Sequence, residues 1–443
     1  MKIQLSDHFT FGKLIKFTLP SIVMMIFTSI YGVVDGIFVS NFAGKTALAA
    51  INLIWPYVMM IGTVGFMVGT GGTALISKTL GMGLKEKANH IFSMLTTVCI
   101  VAGVTLSVLA IIFMEPVAKL LGAEGQMLQD CVIYGNILMA AAPAYIIQFA
   151  FQSFCVTAEK ANLSLVMTVV SGLCNIALDA LFIAVFRWGL IGAAVATSFS
   201  QYLGAVIPIV YFLRPNQSLL RLSRFKFDGK ALLRTVTNGS SEMVNNISMS
   251  VVSMLYNLQL LAYAGEDGVA AYSVIMYVNL IFMAIFIGYV IGAAPLIGFN
   301  HGAQNHGELK NVTRKSLVIL TVSSVAMVIF AVAMAKPLSD VFVGYDAELE
   351  AMTIRAFMIY SLSFLLCGFN IFGSSMFTAL NNGLISAVIS FLRTLVFQIA
   401  AVVLLPMIWE LDGIWLSVVV AELVALILTG CFFFVYRKRY HYA

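Results

Sequence analysis

The stretch FAGKTALAA at residues 42–50 recurs 221 residues later as YAGEDGVAA at residues 263–271. Other segments keep the same interval: Glu115-Pro116 with Lys336-Pro337, Thr157-Ala158 with Thr378-Ala379, and Trp188-x-x-x-Gly192 with Trp409-x-x-x-Gly413. This register holds without a gap from about residue 42 to about residue 192. The chain is therefore built from two similar halves, and the fold of one half predicts the fold of the other.

The composition places both halves in a membrane. Of 443 residues, 61% are hydrophobic and only 10% are charged, and the mean hydropathy is +0.98. Apolar runs of about 18–25 residues recur along the whole length, and each is long enough to cross the hydrocarbon core as a helix. A membrane β-barrel would need alternating segments of about ten residues, which do not occur. We predict an all-α polytopic membrane protein.

We predict twelve transmembrane helices, six in each half. They cover residues 15–39, 48–74, 91–113, 131–152, 163–186, 190–213, 235–263, 270–296, 315–335, 353–377, 385–408 and 412–436. Because six is even, the two halves run in the same direction and form a parallel repeat. We expect an N-terminal lobe at residues 1–213, a basic linker at residues 214–232 and a C-terminal lobe at residues 233–443.

The basic residues predict the orientation of these helices. Most of the 25 Lys and Arg residues fall in the N-terminus, the even-numbered loops and the C-terminus. The odd-numbered loops and adjoining helix ends hold only Lys45, Lys119, Arg187, Lys336 and Arg355. By the positive-inside rule, both termini are cytoplasmic. The N-terminus lacks the pattern of a cleaved signal peptide. These features predict a multi-pass plasma-membrane protein, of the prokaryotic type.

Two parallel six-helix bundles that face each other enclose a central cavity that can open to either side, which is typical of an alternating-access transporter. A membrane receptor or scaffold is the alternative from another functional class. An ATP-driven pump is disfavoured, because the GKT at residues 44–46 follows Val39 where a phosphate-binding loop requires glycine. No motif indicates an enzyme or nucleic-acid binding.

Few ionisable side chains lie inside the predicted spans, and each is costly enough to need an explanation. They are Asp35, Asp179, Glu242, Arg393 and Glu422. Counted from the outer helix ends, Asp35, Asp179 and Thr197 lie at a similar depth of about 8–11 Å.

Asn175 lies one turn before Asp179, on the same face of its helix. Together with Asp35 and Thr197, these residues supply an all-oxygen site suited to a proton or to a hard cation such as Na⁺. In the alternative interpretation, Asp35 is solvated and Asp179 merely bonds to a neighbouring helix.

The remaining charges allow structural roles. Glu242 lies in the cytoplasmic third of its helix, where snorkelling to the surface and a functional role are equally compatible with the sequence. Arg393 and Glu422 belong to adjacent helices, and we expect them to pair with each other rather than to contact substrate.

Glycines and prolines mark further features. Gly69, Gly71 and Gly72, with Gly288 and Gly292 in the other half, predict close helix packing; bending during a transport cycle is the alternative. Two prolines are candidates for kinks, Pro20 and Pro143.

The chain resembles the multidrug and toxic compound extrusion (MATE) transporters over essentially its full length. The resemblance is carried by LPSIVMMIFTSIYGVVDGIFVSNFAGKTALAA (19–50), GLCNIALDALFIAVFRWGLIGAAVAT (172–197) and TALNNGLISAVIS (378–390). It implies V-shaped lobes and export of organic, often cationic, compounds driven by H⁺ or Na⁺. No cofactor is implied, the only metal is the Na⁺ of that coupling, and we expect a monomer.

The resemblance also assigns residues. It implies a cation or proton site at Asp35, Asn175, Asp179 and Thr197, with Tyr134 nearby and Gln152 where some members have asparagine. Glu242 partly matches a glutamate of other branches. Substrate contact or a second coupling site is the role left for Tyr134, Gln152, Glu242, Arg393 and Glu422. A flippase for lipid-linked precursors, from the same superfamily, is the main rival within transport.

Overall fold

The structure, a computed structural model, describes residues 3–42 and 45–442. Within these ranges the chain is helical, with short connections and no strand. The α-helices are α1 Phe11–Phe42, α2 Lys45–Gly81, α3 Lys85–Leu120, α4 Gly125–Ala140, α5 Ala142–Thr157, α6 Ala161–Asp179, α7 Gly189–Leu213, α8 Gly229–Gly302, α9 His306–Val343, α10 Ala347–Ser361, α11 Phe364–Ala379, α12 Gly383–Phe391, α13 Phe397–Leu404 and α14 Pro406–Tyr440. Two π-helical segments, Ala180–Val185 and Leu392–Val396, follow α6 and α12.

Twelve membrane crossings can be counted in the described ranges. Nine helices are long and apolar enough to cross, and the bent pairs α4–α5 and α10–α11 add one crossing each. The 74 residues of α8 would span roughly 110 Å, far more than one bilayer. Its backbone leaves helical geometry at Gly265, with φ 61° and ψ −148°, so that α8 supplies two crossings. The predicted number of helices is confirmed.

The predicted connection between the seventh and eighth crossings is wrong. We expected a loop at residues 264–269, but the two parts of α8 meet directly at Gly265. Glycine makes this possible, because it adopts positive φ without the steric cost that a Cβ atom imposes. The related segment of the first half includes residues 43–44, which lie outside the described residues.

Two crossings are bent near their middle. The angle between α4 and α5 is 56°, and the angle between α10 and α11 is 43°. Pro143, a candidate for a kink, lies at this bend in the first turn of α5, where the missing N–H of proline costs no helical hydrogen bond. At Pro20, the other candidate for a kink, α1 continues as one helix.

The repeat is visible in the helix ends. The interval of 221 residues relates Gly81 to Gly302, Lys85 to His306, Ala140 to Ser361 and Trp188 to Trp409. Between Ala140 and Trp188 in the first half, the interval to the matching residue of the second half is 222 residues. This follows because α6 starts at Ala161 and α12 starts at Gly383. The gapless register inferred from sequence is therefore wrong by one residue across α5 and α6. The bend before α11 absorbs the extra residue.

The two lobes, α1–α7 and α8–α14, meet closely at the end of the molecule that carries both chain termini, here called the terminal end. A Cβ atom on Gly239 of α8 would overlap the carbonyl oxygen of Met67, and one on Gly71 would overlap that of Thr235. Similar overlaps would occur at Gly81 and Gly302. The close packing predicted for Gly71 is confirmed, as it is for Gly288 and Gly292 against α1. The lobes are closed together at the terminal end.

The N-terminal segment joins the terminal ends of both lobes. The Leu5 amide donates to Glu159 Oε1 of the first lobe at 2.7 Å. The Phe9 amide donates to Glu308 Oε1 of the second lobe at 2.8 Å, and Lys315 donates to the Phe9 carbonyl at 2.6 Å. Leu5 and Phe9 are fully buried. The segment thus holds the closed end on both sides.

Substituting Gly239 by valine should open this end, because the added carbons have no room against α2 and overpacking costs about 1–3 kcal/mol. Spin labels on the exposed residues Lys87 and Lys310, one in each lobe, report the separation. We expect a longer distance in Gly239→Val than in wild type. In the control Gly430→Val the distance should not change, since no atom lies within 4 Å of a Cβ built there. An unchanged distance in both variants would contradict close packing as the basis of closure.

Candidate functional site

Asp35 of α1 and Asp179 of α6 face each other inside the first lobe. Their carboxyl groups lie within hydrogen-bonding reach of each other. Both oxygens of Asp179 and Oδ1 of Asp35 are buried and receive no hydrogen bond from any other group in the described residues. A carboxylate has no hydrogen to donate, so the two groups can bond only when one of them is protonated. The pair is therefore arranged to share one proton or to bind a cation.

Asn175 and Thr197 complete this cluster. The Asn175 amide donates to the Thr197 hydroxyl at 3.4 Å, and Asn175 lies one helical turn before Asp179. Asn175 is 2% exposed and Asp179 is fully buried. The structure thus brings together all four residues of the sequence-predicted site, from α1, α6 and α7. Their side chains offer only oxygen ligands toward a cation, which fits H⁺ or Na⁺ and not a transition metal.

The backbone changes pitch at Asp179. The α-helical hydrogen bonding of α6 ends at this residue, and the π-helical segment Ala180–Val185 continues the crossing. Segments of this kind are uncommon and occur frequently at functional sites, because they add a residue to one turn and rotate the next turn. The second segment, Leu392–Val396, contains Arg393. In each lobe, a buried charged residue of the fifth crossing lies at a π-helical segment.

Two tyrosines surround the acid pair. Tyr134 of α4 is 1% exposed and interacts electrostatically with both carboxyl groups. Tyr31 interacts with Asp35, from which it is separated by one turn of α1. Tyr134 was expected near the site, whereas Tyr31 was missed; its spacing of four residues from Asp35 is the signal that places it there.

Gln152 is buried in the same lobe and is not seen to contact the acid pair. Its carbonyl accepts a hydrogen bond from Ser164 at 3.0 Å, while its side-chain Oε1 is buried without a donor. Gln152 therefore lies beside Ser164 of α6, on the side of the acid pair that faces the terminal end.

Glu242 lies on α8, apart from the acid pair. It follows Gly239 by one turn, and Gly239 is where α8 contacts α2 of the other lobe. Its side chain is half-buried and forms no ion pair in the part of the chain that the structure describes. Asn245 beside it has a buried Oδ1 without a donor. Glu242 thus provides a carboxyl group without an ion-pair partner among the described residues, one turn from the contact that closes the two lobes.

Arg393 and Glu422 form the ion pair expected from the sequence. The guanidinium and carboxylate are 2.9 Å apart, and the side chains are 9% and 5% exposed. Asn370 donates to Glu422 Oε2 at 2.7 Å, and Thr429 donates to Asn370 Oδ1 at 3.0 Å. Each charge is met by an opposite charge or a hydrogen bond, as a buried pair requires. This arrangement supports a structural role for both residues.

The ion pair has a neutral counterpart in the first lobe. At the interval of 222 residues Asn370 corresponds to Gln148 and Arg393 to Ser171, and at the interval of 221 residues that relates Trp188 to Trp409, Glu422 corresponds to Gln201. Gln148 donates to the Ser171 hydroxyl at 3.4 Å. Conversely, Asp35 corresponds to Tyr256, whose hydroxyl donates to Gln398 at 3.2 Å. The same scaffold thus carries its acid pair in one lobe and its ion pair in the other.

Comparison with known proteins decides the family. The sequence profile of the MatE family matches residues 20–181 and again residues 243–404, once in each half. The chain belongs to the MatE family.

Relatives and solved structures agree with this assignment. This MatE protein is 26% identical to the multidrug export protein MepA of Staphylococcus saprophyticus, over 97% of this chain and 94% of that protein. It is 24% identical to MepA of Staphylococcus aureus, over 93% and 91%. A crystal structure of a MATE protein in complex with MaL6 superposes with a TM-score of 0.93, at 22% identity over 98% of both chains. An outward-facing multidrug resistance MATE transporter gives 0.92 at 22% identity, again over 98% of both. The all-α fold with twelve helices in two lobes is confirmed.

Removing one member of the buried ion pair should destabilise the protein. We expect Arg393→Ala to lower the free energy of unfolding by about 3–5 kcal/mol, because Glu422 is left buried without its counter-charge. The double variant Arg393→Met/Glu422→Gln should lose less, since no charge remains and Gln still accepts from Asn370. Thermal unfolding in detergent measures both.

The exposed pair of Lys119 and Glu115 is the control for this measurement. Lys119→Ala should change the stability by no more than about 1 kcal/mol, as is usual at a surface. If Arg393→Ala has an equally small effect, the ion pair does not stabilise the second lobe.

Proposed function

We propose that this MatE protein is a secondary active exporter that releases amphipathic organic cations in exchange for H⁺ or Na⁺. The observation that carries the coupling is the acid pair, Asp35 and Asp179, whose buried oxygens lack other donors. Ionised together in a dry site, two carboxylates repel each other. Binding of one positive ion relieves this repulsion. The site therefore binds and releases the ion at a low cost in free energy as the ion is supplied and removed.

The direct contact between the two carboxyl groups favours a proton in the closed arrangement described here, because such a contact requires one. The oxygens of Asn175 and Thr197 would complete the ligands of Na⁺ if the carboxyl groups separated. Proteoliposomes with separate pH and Na⁺ gradients distinguish the two ions.

The substrate side of the proposal rests on the relatives and on the cavity expected between the two lobes, here called the cleft, on the side of the closed contact away from the terminal end. The staphylococcal proteins are multidrug exporters by name, and the unpaired Glu242 at the base of the cleft suits a positively charged compound. In linkage terms, the ion and the substrate must weaken each other's binding or favour opposite states of the lobes. The acid pair and Glu242 lie in different lobes. The ion and the substrate therefore influence each other by shifting the relative position of the two lobes.

The orientation follows from charge. We assign the terminal end to the cytoplasm, on the basis of its excess of Lys and Arg, so that the described closure leaves the cleft open to the outside. Residues 1–213 and 233–443 are assigned to the two lobes, with the linker at 214–232 between them. We assign the protein to the plasma membrane as a monomer.

A flippase for lipid-linked precursors would need basic side chains for a pyrophosphate group. Among the described residues, Arg393 is the one buried Lys or Arg, and Glu422 already neutralises it. This observation favours the drug exporter over the flippase.

Asparagine at either acid should stop ion-driven export, because the amide cannot take up or release a proton and carries no charge for Na⁺. We expect Asp35→Asn and Asp179→Asn to abolish efflux of ethidium from proteoliposomes under the gradient that drives the wild type. Asp267→Asn, at an exposed aspartate of α8, should transport normally. Wild-type efflux in both site variants would refute the coupling role of the acid pair.

Neutralising Glu242 should weaken the binding of cationic compounds selectively. We expect Glu242→Gln to raise the Kd for ethidium about tenfold, which corresponds to about 1.4 kcal/mol, and to leave the Kd of a neutral dye of similar size unchanged. Fluorescence titration of the purified protein measures both. An equal loss for the two dyes would show that Glu242 shapes the cleft rather than attracting charge.

A further inference from the structure

One face of α6 is polar over its whole length, although it is buried. Ser164, Thr168, Ser171, Asn175 and Asp179 follow at intervals of four or three residues, which places them on one side of the helix. Each is 3% exposed or less. The face extends about 22 Å from the acid pair toward the terminal end, at about 1.5 Å per residue. Such a continuous polar face inside an apolar lobe is costly unless it has a use.

Neighbouring helices contribute further polar groups to this face. The Ser171 hydroxyl donates to the Ser200 carbonyl of α7 at 2.6 Å and accepts from Gln148 of α5 at 3.4 Å. Nearer the terminal end, Ser164 donates to the Gln152 carbonyl at 3.0 Å. The polar face therefore lies inside the lobe, against α5 and α7.

Three polar side-chain atoms in this region are buried without a hydrogen-bond partner in the described part of the chain. They are Thr168 Oγ1, Gln152 Oε1 and Gln201 Oε1. Other buried threonines, such as Thr96, donate to the carbonyl one turn earlier; Thr168 does not form such a bond. Buried groups that lack a protein partner are commonly satisfied by internal water.

The same positions in the second lobe are fully bonded. Ser374, Ser386 and Ser390 correspond to Gln152, Ser164 and Thr168 by the helix starts. Ser374 bonds to the hydroxyls of Ser386 and Ser390, both at 2.9 Å. The scaffold can thus satisfy these positions within the protein, and the unpartnered atoms are a property of the lobe that contains the acid pair.

We propose that the polar face of α6, from Asp179 to Ser164, holds internal water and carries protons between the acid pair and the terminal end of the first lobe. The proposal rests on the proposed function with H⁺ as the coupling ion. Each hydroxyl or water accepts a proton on one side and releases another on the opposite side, so one proton moves and no bond to carbon changes.

The relay is interrupted in the described conformation. The Ser171 hydroxyl donates to the Ser200 carbonyl, and the Ser164 hydroxyl donates to the Gln152 carbonyl or to Met24 Sδ at 2.9 Å, so that neither hydroxyl passes a proton along the face. A rotation of these two hydroxyls completes the path. The interruption keeps protons from leaking through the lobe while the acid pair exchanges with the cleft. Thr168 lies between Ser164 and Ser171, so Thr168 is the position where water must enter the path.

The test compares Thr168→Val with Thr96→Val, which removes a buried hydroxyl from α3 of the same lobe. In proteoliposomes with a pH gradient, we expect Thr168→Val to slow ethidium efflux and the accompanying proton movement at least about tenfold. Thr168→Ser should restore both rates, and Thr96→Val should leave both unchanged. The Kd for ethidium should stay within about twofold of wild type in all three variants.

Each other outcome is decisive. If Thr168→Val and Ser171→Ala both transport at the wild-type rate, the polar face carries no protons and the proposal is overturned, while the exporter function stands. If the wild type responds to a Na⁺ gradient and not to a pH gradient, the relay is likewise overturned. If neither gradient drives efflux in the wild type, the proposed function itself fails.

Discussion

An oxygen atom removed from water inside a membrane protein needs a hydrogen-bond donor, a proton or a cation, and this requirement determines how the two lobes differ. In the second lobe Glu422 meets it permanently, through Arg393 and Asn370. In the first lobe the buried oxygens of Asp35 and Asp179 have no donor among the described residues other than the partner acid. The first arrangement needs no ligand, whereas the second, in the proposed function, takes up a proton or a cation. A site that depends on an ion is the kind of site that an ion gradient can drive.

Pseudo-symmetry makes this difference interpretable. Because the two halves share helix ends and bends, each polar position in one lobe can be compared with a counterpart that has the same surroundings. Ser171 and Arg393 occupy the same place, as do Gln201 and Glu422. A duplicated scaffold thus tolerates polar groups at these depths in both copies, and the copies have diverged in how those groups are satisfied. One copy forms a buried ion pair, and the other carries the acid pair to which the proposed function assigns the coupling ion.

Much of this organisation can be predicted from the sequence, since it depends on long-range periodicity. The repeat and the apolar runs predict twelve helices, and Asp35, Asn175, Asp179 and Thr197 stand out because polar groups are rare in the spans. The sequence does not predict the direct junction at Gly265, where one backbone torsion replaces a loop. It also misses the one-residue shift across α5 and α6, since a bend absorbs the extra residue without a mark in composition. Tyr31 escapes notice because tyrosine is common in membrane helices, and only its spacing of one turn from Asp35 sets it apart.

The hydrogen bonds of the N-terminal segment set a length limit on movement. Leu5 is fixed to Glu159 and Phe9 to Glu308, so four residues of chain connect two bodies that must separate if the terminal end opens. At about 3.3–3.6 Å per residue, that tether reaches no further than roughly 14 Å. The lobes can separate at the terminal end up to this distance while both hydrogen bonds remain. A larger separation breaks one of the two attachments. The amplitude of the transport cycle is thus tied to a stretch of chain that lies outside every membrane-spanning helix.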